Sequence, residues 1–253
     1  MRTPTHVIVS GLNMYFNGLS TRKVSTEINE IFGEEVSQVT VWSWVQKYSK
    51  IVSQFVETLK PSLSGKYHHD ETEIKVGGEN KYFWETIDED TRFLVAHLLS
   101  SGRSTEDAIE VFTQAIKKQR PIAIFTDGSF AYNAAVNKVF YTRYKANQIE
   151  WVRRVGIRAR ETNNIVERVH QTLKDRLKPM RGLKKYQSAK TLLDGYVAYY
   201  NFCRKHQSIG KTPAEASGIE IHGWKQLIEN AQVTETVKEI EERTAIIEVK
   251  VKN

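Results

Sequence analysis

Apolar positions recur at helical spacing through about the first 60 residues, give way to alternation from Tyr67, and return to helical spacing beyond Glu161. Ser20 is placed to cap a helix carrying Val24, Ile28, Ile31 and Phe32, with Gly33 just past its end. Ser37 caps the next helix, and Val36 and Val41 flank it at the spacing of a hydrophobic staple. Val41, Trp44, Val45 and Tyr48 share the inner face of that helix, which leaves Gln38, Ser43, Gln46, Lys47 and Lys50 largely outward. Two short helices joined tightly, the second polar and basic outside, suggest a helix-turn-helix that places its second helix in a major groove. On these residues alone a plain helical hairpin is the alternative.

Pro61 to Lys66 reads as a turn-rich linker. Three strand-like runs follow, Tyr67 to Val76, Lys81 to Ile87 and Phe93 to Leu98, with turns at Gly77-Gly78 and Asp88-Glu89-Asp90. They predict an antiparallel meander. Thr105 to Lys118 has Ala108, Val111, Phe112 and Ala115 on one helical face, and the apolar run Ile122 to Phe125 predicts a buried strand ending at Thr126-Asp127-Gly128. This order implies a mixed sheet with helices on its faces. Further on, Glu167, His170, Gln171, Lys174 and Lys178 recur on one helical face, Val166, Val169, Leu173 and Leu177 on another, until Pro179 ends or kinks the helix. A last helix is expected near Tyr186 to Phe202. The chain thus divides into a helix-turn-helix unit (1–60), a linker (61–66), an α/β core (67–217) and an extension of unknown role (218–253), read as solvated, with an oligomer contact as the alternative.

Composition adds two exclusions. Cys203 is the only cysteine, so neither an intrachain disulfide nor a multi-cysteine zinc site is available. No run reaches the roughly 18 apolar residues of a membrane span, and the N-terminus does not read as a signal peptide, so a cytoplasmic protein is expected. Charge says more. The net charge is +7, yet the stretch from Trp151 to Lys190 holds twelve Lys or Arg against three acids. Such a concentration suits a phosphate backbone, which binds cations by releasing counterions.

Asp70 lies inside the first strand, Asp127 just after the buried fourth one, and Glu167 on the basic helix. Ligands of α/β sheets collect at the carboxyl ends of strands, and converging carboxylates suit hard divalent cations. Singly, each acid also reads as a turn cap or a surface ion pair. Glu161 competes with Glu167 for the third place, but lacks the preceding Asn pair and a lysine on its face. His68 and His69 are adjacent on a strand and point to opposite faces, which argues against a shared metal. Trp84 and Trp151 read as packing residues.

Several segments resemble, in the correct order, the DDE-type insertion-sequence transposases with an integrase core. His69-Asp70-Glu71-Thr72-Glu73-Ile74-Lys75-Val76 is similar to the family's first catalytic strand. Tyr82 to Asp88 with Thr91-Arg92 resembles its second strand and turn. Phe125-Thr126-Asp127-Gly128-Ser129 with Tyr132 resembles the segment of the second catalytic aspartate, and Asn163-Asn164-Ile165-Val166-Glu167-Arg168 resembles the NN-x-x-E motif. Tyr200-Asn201, Arg204, His206 and Gly210 to Ala214 resemble the closing segment of such cores. Insertion-sequence family six is the nearest group. His68 and His69 depart from the pattern, where a more apolar strand is usual, and imply a less buried first strand.

The resemblance implies an RNase H-like mixed five-stranded sheet flanked by helices, preceded by the helix-turn-helix. It implies Asp70, Asp127 and Glu167 as catalytic and metal-binding residues, with two Mg²⁺ or Mn²⁺ ions. It implies Lys174 as a phosphate contact beside the cut; Gln38, Ser43, Lys47, Lys50, Arg168 and Lys178 are the other expected DNA contacts. The activity implied is strand cleavage at terminal inverted repeats and strand transfer into target DNA, by a dimer or higher oligomer associated with the nucleoid when bound. An inactive or co-opted DNA-binding regulator is the alternative, and a nuclease of RNA or RNA–DNA hybrids a third reading.

Overall fold

A computed structural model of the chain describes residues 3–144, 148–153, 164–180 and 183–234. Glu161, Asn163, the charged stretch after Thr234 and the strand-like run Ile246 to Val251 lie outside the described residues.

The chain begins with three helices, α1 (Thr5–Phe16), α2 (Thr21–Phe32) and α3 (Gln38–Val56). Ser20 caps α2 by accepting from the Lys23 N–H, and Gly33 ends it in the left-handed conformation, φ 67°. Ser37 caps α3 by accepting from the Thr40 N–H at 3.1 Å. Val41, Trp44, Val45 and Tyr48 are buried as their spacing requires. Ser43, Lys47 and Lys50 form an exposed stripe at i, i+4 and i+7, with Gln38 exposed at the start of the helix. Gln46 departs from the expected outward set: it is half-buried and donates to the Ser188 carbonyl at 3.3 Å.

Among the described residues the sheet has five strands, in the order β3-β2-β1-β4-β5. They are β1 (Lys66–Val76), β2 (Glu79–Asp88), β3 (Leu94–Ser100), β4 (Ala123–Thr126) and β5 (Glu150–Arg153). The first three form the expected antiparallel meander, while β4 runs parallel to both β1 and β5. This is the mixed five-stranded sheet that the resemblance implied. α4 (Thr105–Lys118) and α5 (Phe130–Phe140) cover one face; α6 (Asn164–Leu177) and α7 (Tyr186–Phe202) cover the other. β1 shows which is which, because its successive side chains alternate. His69 meets Phe112 of α4 and Tyr132 of α5, whereas Asp70 meets His170 of α6. α7 is tied to β3 by Asn201, whose amide brackets Leu94 with two hydrogen bonds of 2.9 and 3.0 Å. Pro179 ends α6 in a 3₁₀ turn, Lys178–Met180. A short helix, α8 (Pro213–Ala216), follows α7.

The first strand is not less buried than usual. His68 and His69 are 2% and 0% exposed. Each ring stacks and is hydrogen-bonded: His68 on Phe125 with Glu89 at 3.2 Å, His69 on Trp84 with Thr86 at 2.8 Å. A neutral imidazole bonded through one nitrogen and stacked on a ring packs much as an aromatic residue does.

α3 lies close against α7. A Cβ at Gly195 would stand 2.0 Å from Ser49 Oγ and 2.9 Å from Phe16 Cζ, so only glycine permits this approach. Phe16 also stacks on Tyr199 and, at 5.1 Å, on Trp224. Trp224 belongs to a helix over residues 223–234, where it, Leu227, Ile228 and Ala231 are buried. The described start of the extension is therefore packed, not solvated. The four residues follow the helical period i, i+3, i+4, i+7, and a single apolar core runs from Val7 to Ala231. Among the described residues no helix is long and apolar enough to cross a membrane.

Candidate active site

The parallel pairing of β1 with β4 sets His68 beside Phe125. Asp70 and Asp127 each lie two residues beyond that pair, and the Asp127 charge is close enough to act on the Asp70 carboxyl. Asp127 follows the last residue of β4 and is fixed by its own turn, with Oδ1 accepting from the Ser129 N–H at 2.8 Å. Asp70 Oδ1 accepts from the Glu71 N–H at 2.9 Å. Burial pushes the Asp70 carboxyl up to about 6; the charges of Glu71 and Asp127 push the same way, while His170 and the Glu71 N–H oppose them.

Glu71 points to the opposite face from Asp70. It pairs with Arg103 and accepts from the Tyr132 hydroxyl. The strand thus carries two successive acids with different partners: Glu71 has a guanidinium, and Asp70 has an imidazole.

That imidazole is His170 of α6. Its Nδ1 lies 4.0 Å from Asp70 Oδ2, and its Nε2 lies 3.1 Å from Oε2 of Glu85, a fully buried acid of β2 that pairs with Asp70 in the strand register. Burial works against charge on His170, but the Glu85 and Asp70 carboxylates outweigh it and hold its pKa above the ordinary value. The ion pair with Glu85 ties α6 over the centre of the sheet. Glu167 stands one turn before His170, hence on the same side of the helix, and is exposed.

The structure therefore brings Asp70 and Asp127 together and leaves Glu167 on the exposed first turn of α6. Among the described residues no three His, Cys, Asp or Glu side chains are grouped to hold a metal ion. Two features fit a cation even so. The paired donors are carboxylate oxygens, the type that hard divalent ions take. The Asp70 carboxyl is also raised by burial and by neighbouring acids, a charge that a cation would offset.

Of the expected DNA contacts, Arg168 and Lys174 are exposed on α6. Lys174 is close enough to His170 for its charge to act on it. Lys178 is paired with Asp175 at 2.8 Å. Gln38 accepts from Arg22 Nε at 2.9 Å, and the Ser43 hydroxyl donates to the Thr40 carbonyl at 2.8 Å. Trp84 is buried, and half-buried Trp151 donates to Thr126 Oγ1 at 3.1 Å.

Sequence reasoning missed Glu85 and gave His170 no role. The available signal was an acid at the centre of a strand whose neighbours are Trp84 and Thr86.

A family profile described as a DDE domain, of the IS240 transposase type, matches residues 64–206. The transposase for insertion sequence-like element IS431mec of Staphylococcus aureus is 28% identical over 193 residues, covering 75% of this chain and 80% of that protein. The transposase for insertion sequence element IS257 in transposon Tn4003, also from Staphylococcus aureus, is 28% identical over 206 residues, covering 79% and 86%. Among solved structures, the HTLV-2 integrase catalytic core domain in complex with magnesium has a TM-score of 0.47 at 16% identity, covering 63% of this chain and 98% of that one. The BIV integrase catalytic core domain has 0.46 at 19% identity, covering 61% and 93%. The profile spans more than half of the 253 residues, and on that ground the chain belongs to the DDE-domain family of insertion-sequence transposases.

Proposed function

We propose that this transposase cuts DNA at the terminal inverted repeats of an insertion sequence and joins the freed ends to target DNA, using Asp70, Asp127 and Glu167. The observation that supports the reading is that Asp70 and Asp127 each follow the paired ends of β1 and β4 by two residues, near enough for the Asp127 charge to act on the buried Asp70 carboxyl. Asp70, Asp127 and Glu167 would hold two Mg²⁺ or Mn²⁺ ions, which supply activation of the attacking oxygen and stabilisation of the leaving one. The overall change is hydrolysis of a phosphodiester to leave a 3′-hydroxyl, followed by displacement at a target phosphodiester by that hydroxyl. Glu85 and His170 hold α6 against β1 and so set the distance from Glu167 to the paired aspartates. Lys174 supplies a flexible point charge for a phosphate near the cut. Residues 1–60 serve as the recognition unit: Gln38 and Ser43 meet base edges, and Lys47 and Lys50 meet phosphates. Arg168 and Lys178 add phosphate contacts. The protein acts in the cytoplasm, on the nucleoid when bound, as a dimer or higher oligomer.

The test is cleavage of DNA carrying the element's ends, with Mg²⁺ or Mn²⁺. Asp70→Asn, Asp127→Asn and Glu167→Gln should each abolish cleavage while leaving DNA binding nearly intact. A variant that cleaves at the wild-type rate removes its residue from the assignment. The co-opted regulator reading requires the wild type itself to bind the ends without cutting them.

A further inference from the structure

A second positively charged feature lies beside Glu167. A cleft of about 610 Å³ opens between the exposed side of α6 and the segment that follows α7. Arg92, Arg168, Arg204 and Lys205 line it, together with Asn164 and His206, and among the described residues no acidic side chain does. Arg168 comes from the residue after Glu167, so the cleft borders the helix turn that carries the third acid.

Arg92 sits in the turn between β2 and β3. Three acids precede it in sequence: Asp90 is exposed, and Asp88 is already committed, accepting from Ser64 Oγ and the Gly65 N–H with one oxygen and from the Thr91 N–H and hydroxyl with the other. The Glu89 carboxylate is paired with His68. Among the described residues, Nη1 of Arg92 is buried without a hydrogen-bond partner. A guanidinium nitrogen in that state is costly and calls for an acceptor. Arg204 lies opposite, with its guanidinium 5.8 Å from the Tyr200 ring centroid and donating to His206 Nε2 at 3.2 Å. Burial, then the charges of Arg204 and Arg92, lower the His206 imidazole to about 4, so it is a neutral acceptor that keeps the Arg204 fork in place. The loop is closed on itself by the His206 N–H to the Lys211 carbonyl and the Gly210 N–H to the His206 carbonyl.

We propose that this cleft is a phosphodiester-binding site for the backbone of the DNA on which the Glu167 side of α6 acts, with Arg92 and Arg204 as its two fixed guanidinium forks. Planar guanidinium groups suit phosphate oxygens, and four cations that outnumber the one nearby acid, Glu215 beside Lys205, match a polyanion. Together with Lys174 on the C-terminal side of Glu167, the cleft would hold the strand on both sides of the cut. The identity of the occupant as DNA rests on the transposase reading.

The test measures binding of the full chain to a random-sequence DNA duplex across salt concentrations, without divalent metal, so that cleavage plays no part. The slope of log K against log salt changes by about 0.9 for each phosphate contact removed. Arg92→Gln, Arg204→Gln and Lys205→Gln should each make the slope shallower by about that amount. Lys117→Gln, on α4 at the opposite face of the sheet, should leave it unchanged. Lys205 is exposed, so its variant folds whatever the two arginines do. Wild-type slopes in two or more of the three cleft variants overturn the proposal. Wild-type cleavage alongside such slopes would leave the transposase reading standing; shallower slopes with a wild type that cannot cleave would do the reverse.

Discussion

His69 and Asp70 are neighbours on β1, and burial shifts both, yet the two sides of the strand differ in kind. On the His69 side the ring meets Trp84, Phe112 and Tyr132 and is hydrogen-bonded to Thr86. Burial, with a smaller push from His170, lowers its pKa to about 3, so the neutral form is settled and fully packed. On the Asp70 side burial raises the carboxyl to about 6, while Asp127 adds a second acid and His170 answers with a partial counter-charge. One side holds a polar residue that no longer needs its charge. The other holds charges that the fold leaves incompletely balanced. Functional chemistry follows the second pattern, because an unbalanced buried charge persists only where something else compensates it.

The largest effect belongs to the packed side. Trp84→Ala should cost about 3–5 kcal/mol of stability, read from urea unfolding, because it empties the aromatic cluster around His69. A loss under about 1 kcal/mol would mean that this cluster is not close-packed.

Asp70→Asn should act in the opposite direction. The folded pKa of Asp70 lies above its unfolded value, so the ionised carboxylate destabilises the metal-free fold above pH 6, and this penalty fades as the pH falls towards 4. At pH 7 the variant should be more stable than wild type by up to roughly 3 kcal/mol without metal, and should lose that advantage in acid. Equal stability at both pH values would remove the charge imbalance from the account.

His69 gives the reverse slope. Its folded pKa is depressed, so its contribution is present above pH 6.5 and is lost as the pH falls towards 3. His69→Leu should flatten the acid limb of the wild-type stability curve. An unchanged limb would assign acid unfolding to other groups.

A smaller effect separates two lysines of α6. Lys174→Ala should slow cleavage roughly tenfold, equivalent to about 1.4 kcal/mol. Lys178, paired with Asp175, should matter less. Equal losses would undo the placement of Lys174 beside the cut.

Much of this was legible in the sequence where local physics decides. The caps at Ser20 and Ser37 and the stop at Gly33 follow from capping residues, the helix Thr105–Lys118 from its apolar period and the helix Tyr186–Phe202 from its run of Leu and Tyr. β5 was not legible: its four residues, Glu-Trp-Val-Arg, carry charges at both ends, and its extended form comes from parallel pairing with β4. The helix at 223–234 was legible but passed over, because its apolar stripe of Trp224, Leu227, Ile228 and Ala231 lies within a polar stretch. The resemblance supplied the three acids as a set. What it could not supply was the Glu85–His170–Asp70 bridge, which depends on strand register and on where α6 lands on the sheet.

The central claim is that the paired aspartates, with Glu167, form a cation site that the fold has left charged. The direct measurement is the unfolding midpoint Tm with and without Mn²⁺, for the wild type and for the Asp70→Asn, Asp127→Asn and Glu167→Gln variants. Binding to the folded state alone raises Tm, by more as the free ion concentration exceeds the Kd. Wild type should show a clear Mn²⁺-dependent rise, Glu167→Gln a reduced one, and the two aspartate variants none. A full rise in Asp70→Asn or Asp127→Asn would contradict the account.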